Sequence, residues 1–168
     1  MIFSTIVLLI FPVLMVFAAS SDLFTMRISN LLVLMLVVGF FIVALIVQMP
    51  VETMLSNLGC AAVVLLVTFA FFAFGWIGGG DAKLAAATVL WLGLSLLLPY
   101  IVYSGLLGGA LTLVLLAFRN LPLPASLQRI KWLDRLHDKK QGVPYGIALA
   151  AAALLVYPQT MIFQHFLA

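Results

Sequence analysis

Apolar residues in this chain run in long unbroken blocks and do not alternate with polar ones. A block of about 18 or more such residues crosses the roughly 30 Å hydrocarbon layer as a helix, with its backbone hydrogen bonds made internally. The blocks predict spans over Ile2–Ala19, Ile28–Val47, Leu58–Trp76, Ala82–Leu98, Tyr100–Phe118 and Val143–Ile162. Pro99 and Tyr100 mark a tight antiparallel turn between the fourth and fifth, since proline sits easily at a helix start or just past its end. The expected fold is all-α: a polytopic membrane protein of about six transmembrane helices. It forms a single membrane-embedded domain over residues 1–168, with no internal repeat or low-complexity tract.

Composition sharpens this picture. Of 168 residues, 66% are hydrophobic and 8% charged, and the mean hydropathy is +1.32. A soluble domain carries roughly a quarter of its residues charged. Ala18-Ala19-Ser20 has the small residues of a leader cleavage site, yet nothing before Arg27 is basic, so the first span is expected to stay uncleaved. The single cysteine, Cys60, falls inside the third span and reads as a small apolar packing residue. No Cys-x-x-Cys pair exists to hold zinc, and no metal or other cofactor is expected.

Charge sets the expected orientation. Arg119, Arg129, Lys131, Arg135, Lys139 and Lys140 share one loop, over 119–142, while Arg27 lies in the first loop and Lys83 beside the third. Basic loops stay in the cytoplasm. Six spans put all eight basic residues on that side of the inner (cytoplasmic) membrane and both termini outside. The net charge of +3 is therefore a topological signal and an attraction to anionic membrane lipids, not a mark of nucleic-acid binding. Leu127, Ile130, Leu133 and Leu136–His137 recur at helical spacing among the loop cations. That pattern suits an amphipathic surface helix, with a solvated linker as the alternative.

Five acidic residues remain: Asp22, Glu52, Asp81, Asp134 and Asp138. Asp134 and Asp138 stand among cations, and Glu52 in a short outer loop. Asp22 and Asp81 instead stand at the cytoplasmic edges of hydrophobic spans, where burying a charge is expensive. Two carboxylates at one depth share a proton and titrate as a unit. The ionised member activates water while the protonated member polarises a carbonyl, which hydrolyses amides without metal or covalent intermediate. Around Asp81 the sequence reads Gly75-Trp76-Ile77-Gly78-Gly79-Gly80-Asp81-Ala82-Lys83-Leu84. Three glycines weaken a helix by roughly 1 kcal/mol each relative to alanine and leave room for an extended peptide. The alternative is a flexible turn with Asp81 as the N-cap of the fourth span.

Gly78-Gly79-Gly80-Asp81 fits the Gly-x-Gly-Asp signature of membrane aspartic peptidases, and Ala82-Lys83-Leu84 continues it in a way that resembles type IV prepilin peptidases. Asp22-Leu23-Phe24-Thr25-Met26-Arg27-Ile28-Ser29-Asn30 is similar to that family's first motif, an aspartate followed by Ile-Pro-Asn, with Ser29 where proline is usual. Gly142-Val143-Pro144-Tyr145-Gly146 resembles the Pro-Tyr-Gly segment that opens the family's last span. The resemblance implies that Asp22 and Asp81 are the catalytic pair. It also implies a pilin-like precursor as substrate, whose short basic leader is cut at the cytoplasmic face. The chain lacks the cytoplasmic insertion and paired cysteines of larger members that also methylate. It resembles the short, peptidase-only form of tight-adherence (Flp-type) pili or a related secretion system, and archaeal preflagellin peptidases share the core.

Other roles stay open. Lys83 suits a lipid phosphate, a substrate carboxylate or simple snorkelling to the interface. Pro144, Tyr145 and Gly146 suit a cleft floor, although a proline in a first helical turn is ordinary. His137 and His165 are assigned no chemistry. A small transporter or ion-conducting protein is the alternative function, since intramembrane carboxylates and glycine breaks mark ion paths. Against it, the acids cluster on one face, and Thr68, Thr88, Ser95, Ser104 and Thr112 are too sparse to line a route across the spans. A non-catalytic scaffold of a secretion machine is a third reading, and oligomeric state is not legible.

Overall fold

The computed structural model describes residues 2–166, the side chain of Ala125 excepted. Its elements are all helical: α1 (Ile2–Thr25), α2 (Asn30–Ile46), α3 (Val51–Ala73), α4 (Gly79–Leu92), α5 (Leu97–Asn120), α6 (Ala125–Gln128), α7 (Lys131–His137), α8 (Gly146–Val156) and α9 (Met161–His165). Short 3-10 turns at Leu94–Leu96 and Tyr157–Gln159 join α4 to α5 and α8 to α9. Ile2–Thr25, Val51–Ala73 and Leu94–Asn120 are long and apolar enough to cross a membrane, and Asn30–Ile46 and Gly146–Gln159 are shorter apolar segments. This is a polytopic membrane architecture.

The layering follows from which helices bury all their faces. From Leu84 to Leu92 every residue of α4 is buried, as expected of a helix that is apolar all round and enclosed by others. Its alanines Ala82, Ala85, Ala86 and Ala87 are nearly inaccessible, because small side chains let helix backbones approach closely in a bundle. α3, α2 and α8 pack around α4, while α1 and α5 flank α8. α1, α3 and α5 turn large apolar side chains such as Phe17, Leu66 and Leu113 outward. At the centre, Trp91 donates its indole N–H to Leu36 O at 2.9 Å. Its ring lies 5.1 Å from Phe11 and 5.9 Å from Phe40. Tyr157 stacks on Phe11 at 4.7 Å. Trp91 and Tyr157 each satisfy their one side-chain polar atom with a backbone carbonyl, Leu36 O and Leu8 O, and the rest is packing.

Several expected boundaries shift. The fourth span is a helix of only 14 residues, about 21 Å at 1.5 Å per residue. It ends at Gly93, whose φ of +75° is a left-handed conformation open to glycine. The turn therefore lies at Gly93–Leu96 and not at Pro99–Tyr100; Pro99 sits inside the first turn of α5, where its missing N–H costs nothing. Asn57 explains the stop: its side chain donates to Leu90 O at 3.2 Å, satisfying a carbonyl that the helix end leaves free. α3 begins at Val51, after Pro50, seven residues earlier than Leu58. The sixth span breaks at Tyr157-Pro158-Gln159.

The basic loop folds as two short helices, so the expected continuous amphipathic helix is corrected. α6 stops at Gln128 and α7 starts at Lys131. Leu127 and Ile130 stay exposed, whereas Leu136 is buried. Arg119 is buried as well: its Nε donates to Leu136 O and its Nη2 to Gly142 O, each at 2.7 Å. A cation read as a topological mark thus clamps the loop onto the end of α5. α7 in turn reaches α1, with Arg135 donating to Phe24 O at 3.2 Å and Trp132 edge-on to Phe24 at 5.5 Å.

Candidate active site

α1 continues past the expected end of its span, through Asp22 to Thr25. Asp22 is 5% exposed, and its Oδ2 accepts the backbone N–H of Gly146 at 2.7 Å. Gly146 is the first residue of α8, so the carboxylate lies at a helix N-terminus, where free N–H groups and the macrodipole favour an anion. The approach requires glycine. A Cβ at Gly146 would lie 2.8 Å from Asp22 Oδ2 and 2.9 Å from Ile28 Cδ1.

Asp81 comes from the first turn of α4, with Gly78 as the N-cap. It is therefore not the N-cap itself, and Gly79 and Gly80 are helical, not a flexible turn. Its carboxylate folds back over Gly78 and accepts that residue's backbone N–H, the reciprocal half of a capping box. A Cβ at Gly79 would meet Phe72 Cε2 at 3.2 Å, and one at Gly80 would meet Ile28 Cβ at 3.3 Å. The glycines let α4 start against α3 on one side and the α1–α2 turn on the other.

That turn is built by local hydrogen bonds. Ser21 Oγ and Thr25 Oγ1 donate to Arg27 O at 2.9 and 3.3 Å, and Met26 takes a φ of +54°. Ser29 N-caps α2 by accepting the N–H of Leu32 at 3.2 Å. The side chain that replaces the resembled family's proline thus does local work of its own.

Asp22 and Asp81 line one cavity of about 700 Å³, together with Ser21, Thr25–Asn30 and Gly78–Gly80. They are near enough for the charge of Asp22 to reach Asp81. The cavity opens at the end of the bundle where α7 meets α1.

The other expected site residues fall around it. Gly146 holds Asp22. Pro144 is buried just before α8. Tyr145 turns away and donates its hydroxyl to Ser104 O at 2.9 Å. Lys83 points to α2, where its ammonium donates to Asn30 Oδ1, and its stem lines a lipid-side groove with Val33 and Leu58. Sequence reading passed over Arg27 and Ile28 as site residues in their own right, and over the hydroxyls of Tyr100 and Ser104, which share a second cavity with Asp81. The sequence places Tyr100 in a turn and Ser104 at a helix contact, and no local signal marks either for a site.

The fold and this site define a helical membrane protein with two carboxylates converging on one cavity at one end of the bundle. The type IV leader peptidase family model matches residues 9–113, which include both aspartates. The chain belongs to the type IV leader peptidase family, a family of peptidases. No curated protein and no solved structure matches it.

Proposed function

We propose that this protein is an aspartic endopeptidase that removes the short basic leader of pilin-like precursors at the cytoplasmic face of the inner membrane. The observation that carries this reading is the convergence of Asp22 and Asp81, from α1 and α4, on one cavity. Backbone N–H groups at the starts of α8 and α4 hold the two carboxylates. The basic loop packs beside the same end, which by the distribution of Lys and Arg is the cytoplasmic end. Both termini then lie outside.

Two carboxylates in one cavity share one proton. The ionised member takes a proton from water as its oxygen bonds to the scissile carbonyl carbon, and the protonated member donates to the carbonyl oxygen. As the C–N bond breaks, the departing nitrogen takes the proton that came from water, and the hydroxyl that re-forms the carbonyl returns its proton to the pair, which regains its single shared proton. The leader's cations are drawn to headgroups and to the acidic cavity. The short loop suits a peptidase-only member serving Flp-type pili or a related secretion system.

The test is precursor processing in membranes. A pilin-like precursor shortens beside the wild-type chain and stays full length beside Asp22→Asn or Asp81→Asn, each still inserted. Wild-type cleavage by either variant overturns the paired-carboxylate assignment and returns transporter and scaffold readings to the front.

A further inference from the structure

The N–H that Asp22 accepts belongs to the peptide unit joining Tyr145 to Gly146, at the start of α8. That unit is planar, so whatever fixes Tyr145 also aims the N–H. The Tyr145 side chain lies on α5. Its hydroxyl donates to Ser104 O at 2.9 Å. Its ring fills the space over Gly108, where a Cβ would stand 2.1 Å from Tyr145 Cε2 and 2.3 Å from the hydroxyl oxygen. Glycine weakens a helix interior, and here its missing side chain is what admits the ring.

The other end of the same short segment is held by the same helix. Arg119, in the last turn of α5, donates from Nη2 to Gly142 O at 2.7 Å. Burying a guanidinium is costly, and a cation that served only as a topological mark would stay in solvent. Between the two anchors the backbone has little freedom. Tyr145 N–H donates to Val143 O at 2.8 Å, and Pro144 has its φ locked by its ring. α1 and α5 both pack on α8. α5 carries neither aspartate, yet it settles where the start of α8 meets α1.

We infer that Tyr145 is a positioning residue for Asp22: seated on Gly108 and Ser104, with Arg119 holding Gly142, it keeps the Gly146 N–H on the carboxylate. The inference rests on the peptidase reading for the use made of Asp22. An N–H donor favours the ionised carboxylate, the form that takes a proton from water. Hydrogen bonds weaken steeply as they bend. A tilt of the Tyr145–Gly146 peptide therefore weakens the base without touching the substrate. Asp81 and Arg27 border the same cavity, and Arg135 reaches the end of α1 from α7. All three charges stay in place in the variants below, so a change in titration reports the N–H.

Tyr145→Phe tests it, since the ring keeps its seat and only the bond to Ser104 O is lost. The Gly146 amide is followed by NMR in detergent, with glycine nitrogen labelled together with the tyrosine carbonyl, or the phenylalanine carbonyl in the variant. Tyr145-Gly146 is the one Tyr-Gly pair of the chain, and Phe74-Gly75 the one Phe-Gly pair of the wild type, so the signal is singled out. Asp22→Asn is expected to abolish its titration. In Tyr145→Phe the midpoint is expected to rise by about 0.5–1 pH unit, the scale of a weakened hydrogen bond. The acid limb of the processing rate moves up with it. kcat is expected to fall about tenfold, the scale of a small displacement at a catalytic group, with KM held. Arg119→Lys, too short to span both carbonyls, is expected to move the amide the same way. Tyr157→Phe is the control: it loses a hydroxyl bond to Leu8 O at the other end of α8, and only thermal stability is expected to change. A wild-type amide titration in Tyr145→Phe overturns the positioning role whatever the rate does. A rise in KM with kcat held places the hydroxyl at the substrate and overturns it too. A shifted amide in a chain whose wild type cuts no precursor keeps the positioning and overturns the peptidase reading.

Discussion

Ile28 stands where the three motif segments meet. Its side chain lies under Gly80 of α4, where a Cβ would be tightly held at 3.3 Å, and under Gly146 of α8, where a Cβ at 2.9 Å has no room. The glycines thus set how closely α4 and α8 approach the α1–α2 turn. Gly146→Ala is expected to push the Asp22 carboxylate aside and lower processing by about 10- to 100-fold, the scale of a displacement near 1 Å at a catalytic group. The readout is the processing rate at matched membrane insertion. Ser29→Pro tests the opposite case. Ser29 has φ −70° and ψ 148°, which proline adopts without strain. The lost cap costs about 1 kcal/mol, and the stiffer unfolded chain returns about 0.4–1 kcal/mol. A thermal midpoint in detergent within about 4 °C of wild type is expected, with processing intact.

At the scale of elements, helix ends decide more than helix interiors. α4 stops because Gly93 turns left-handed with Asn57 against it: a Cβ there would lie 2.6 Å from Asn57 Oδ1. Gly93→Ala is expected to destabilise by about 1–3 kcal/mol through backbone strain and the clash. Thermal melts of Gly93→Ala with and without Asn57→Ala separate the two causes, since only the clash is relieved in the double variant. Arg119 anchors the basic loop through two carbonyls. Arg119→Met leaves both unpaired, and protease nicking over residues 121–142 is expected to quicken, read as loss of full-length chain in inside-out vesicles. The loop's two-helix form was not legible in its periodicity. A regular spacing of leucines does not report that Arg119 and Phe24 claim the far half of the stretch.

At the scale of the whole molecule, Asp81 borders two cavities, a polar one at one end of the bundle and an apolar one that runs along α4 past Val89. A shared proton on the pair gives the activity two flanks. Processing is expected to fall toward acid pH, where both carboxylates are protonated and no base remains. It is expected to fall again toward alkaline pH, where both are ionised and no acid remains. A rate that rises to a plateau on one side alone would point to a single working carboxylate. The measurement is the initial processing rate against pH in sealed-membrane-free detergent preparations, so that the pH at the site is the pH imposed.

Membrane residence, the all-helical class and the candidate aspartates were legible in the sequence, because hydropathy and charge are properties of each segment alone and the bilayer reads them segment by segment. The motif positions Asp22, Asp81 and Gly146 were legible too, but not what joins them. Tertiary structure alone decided that Gly79 and Gly80 begin a helix and that the chain turns at Gly93 instead of Pro99. It also decided that Tyr100 and Ser104 line the cavity behind Asp81. The glycine positions depend on neighbours outside their own turn: Ile28, Phe72 and Asn57 occupy the space where a Cβ would stand. Close packing is a property of pairs of surfaces, and a one-dimensional pattern holds only one surface at a time.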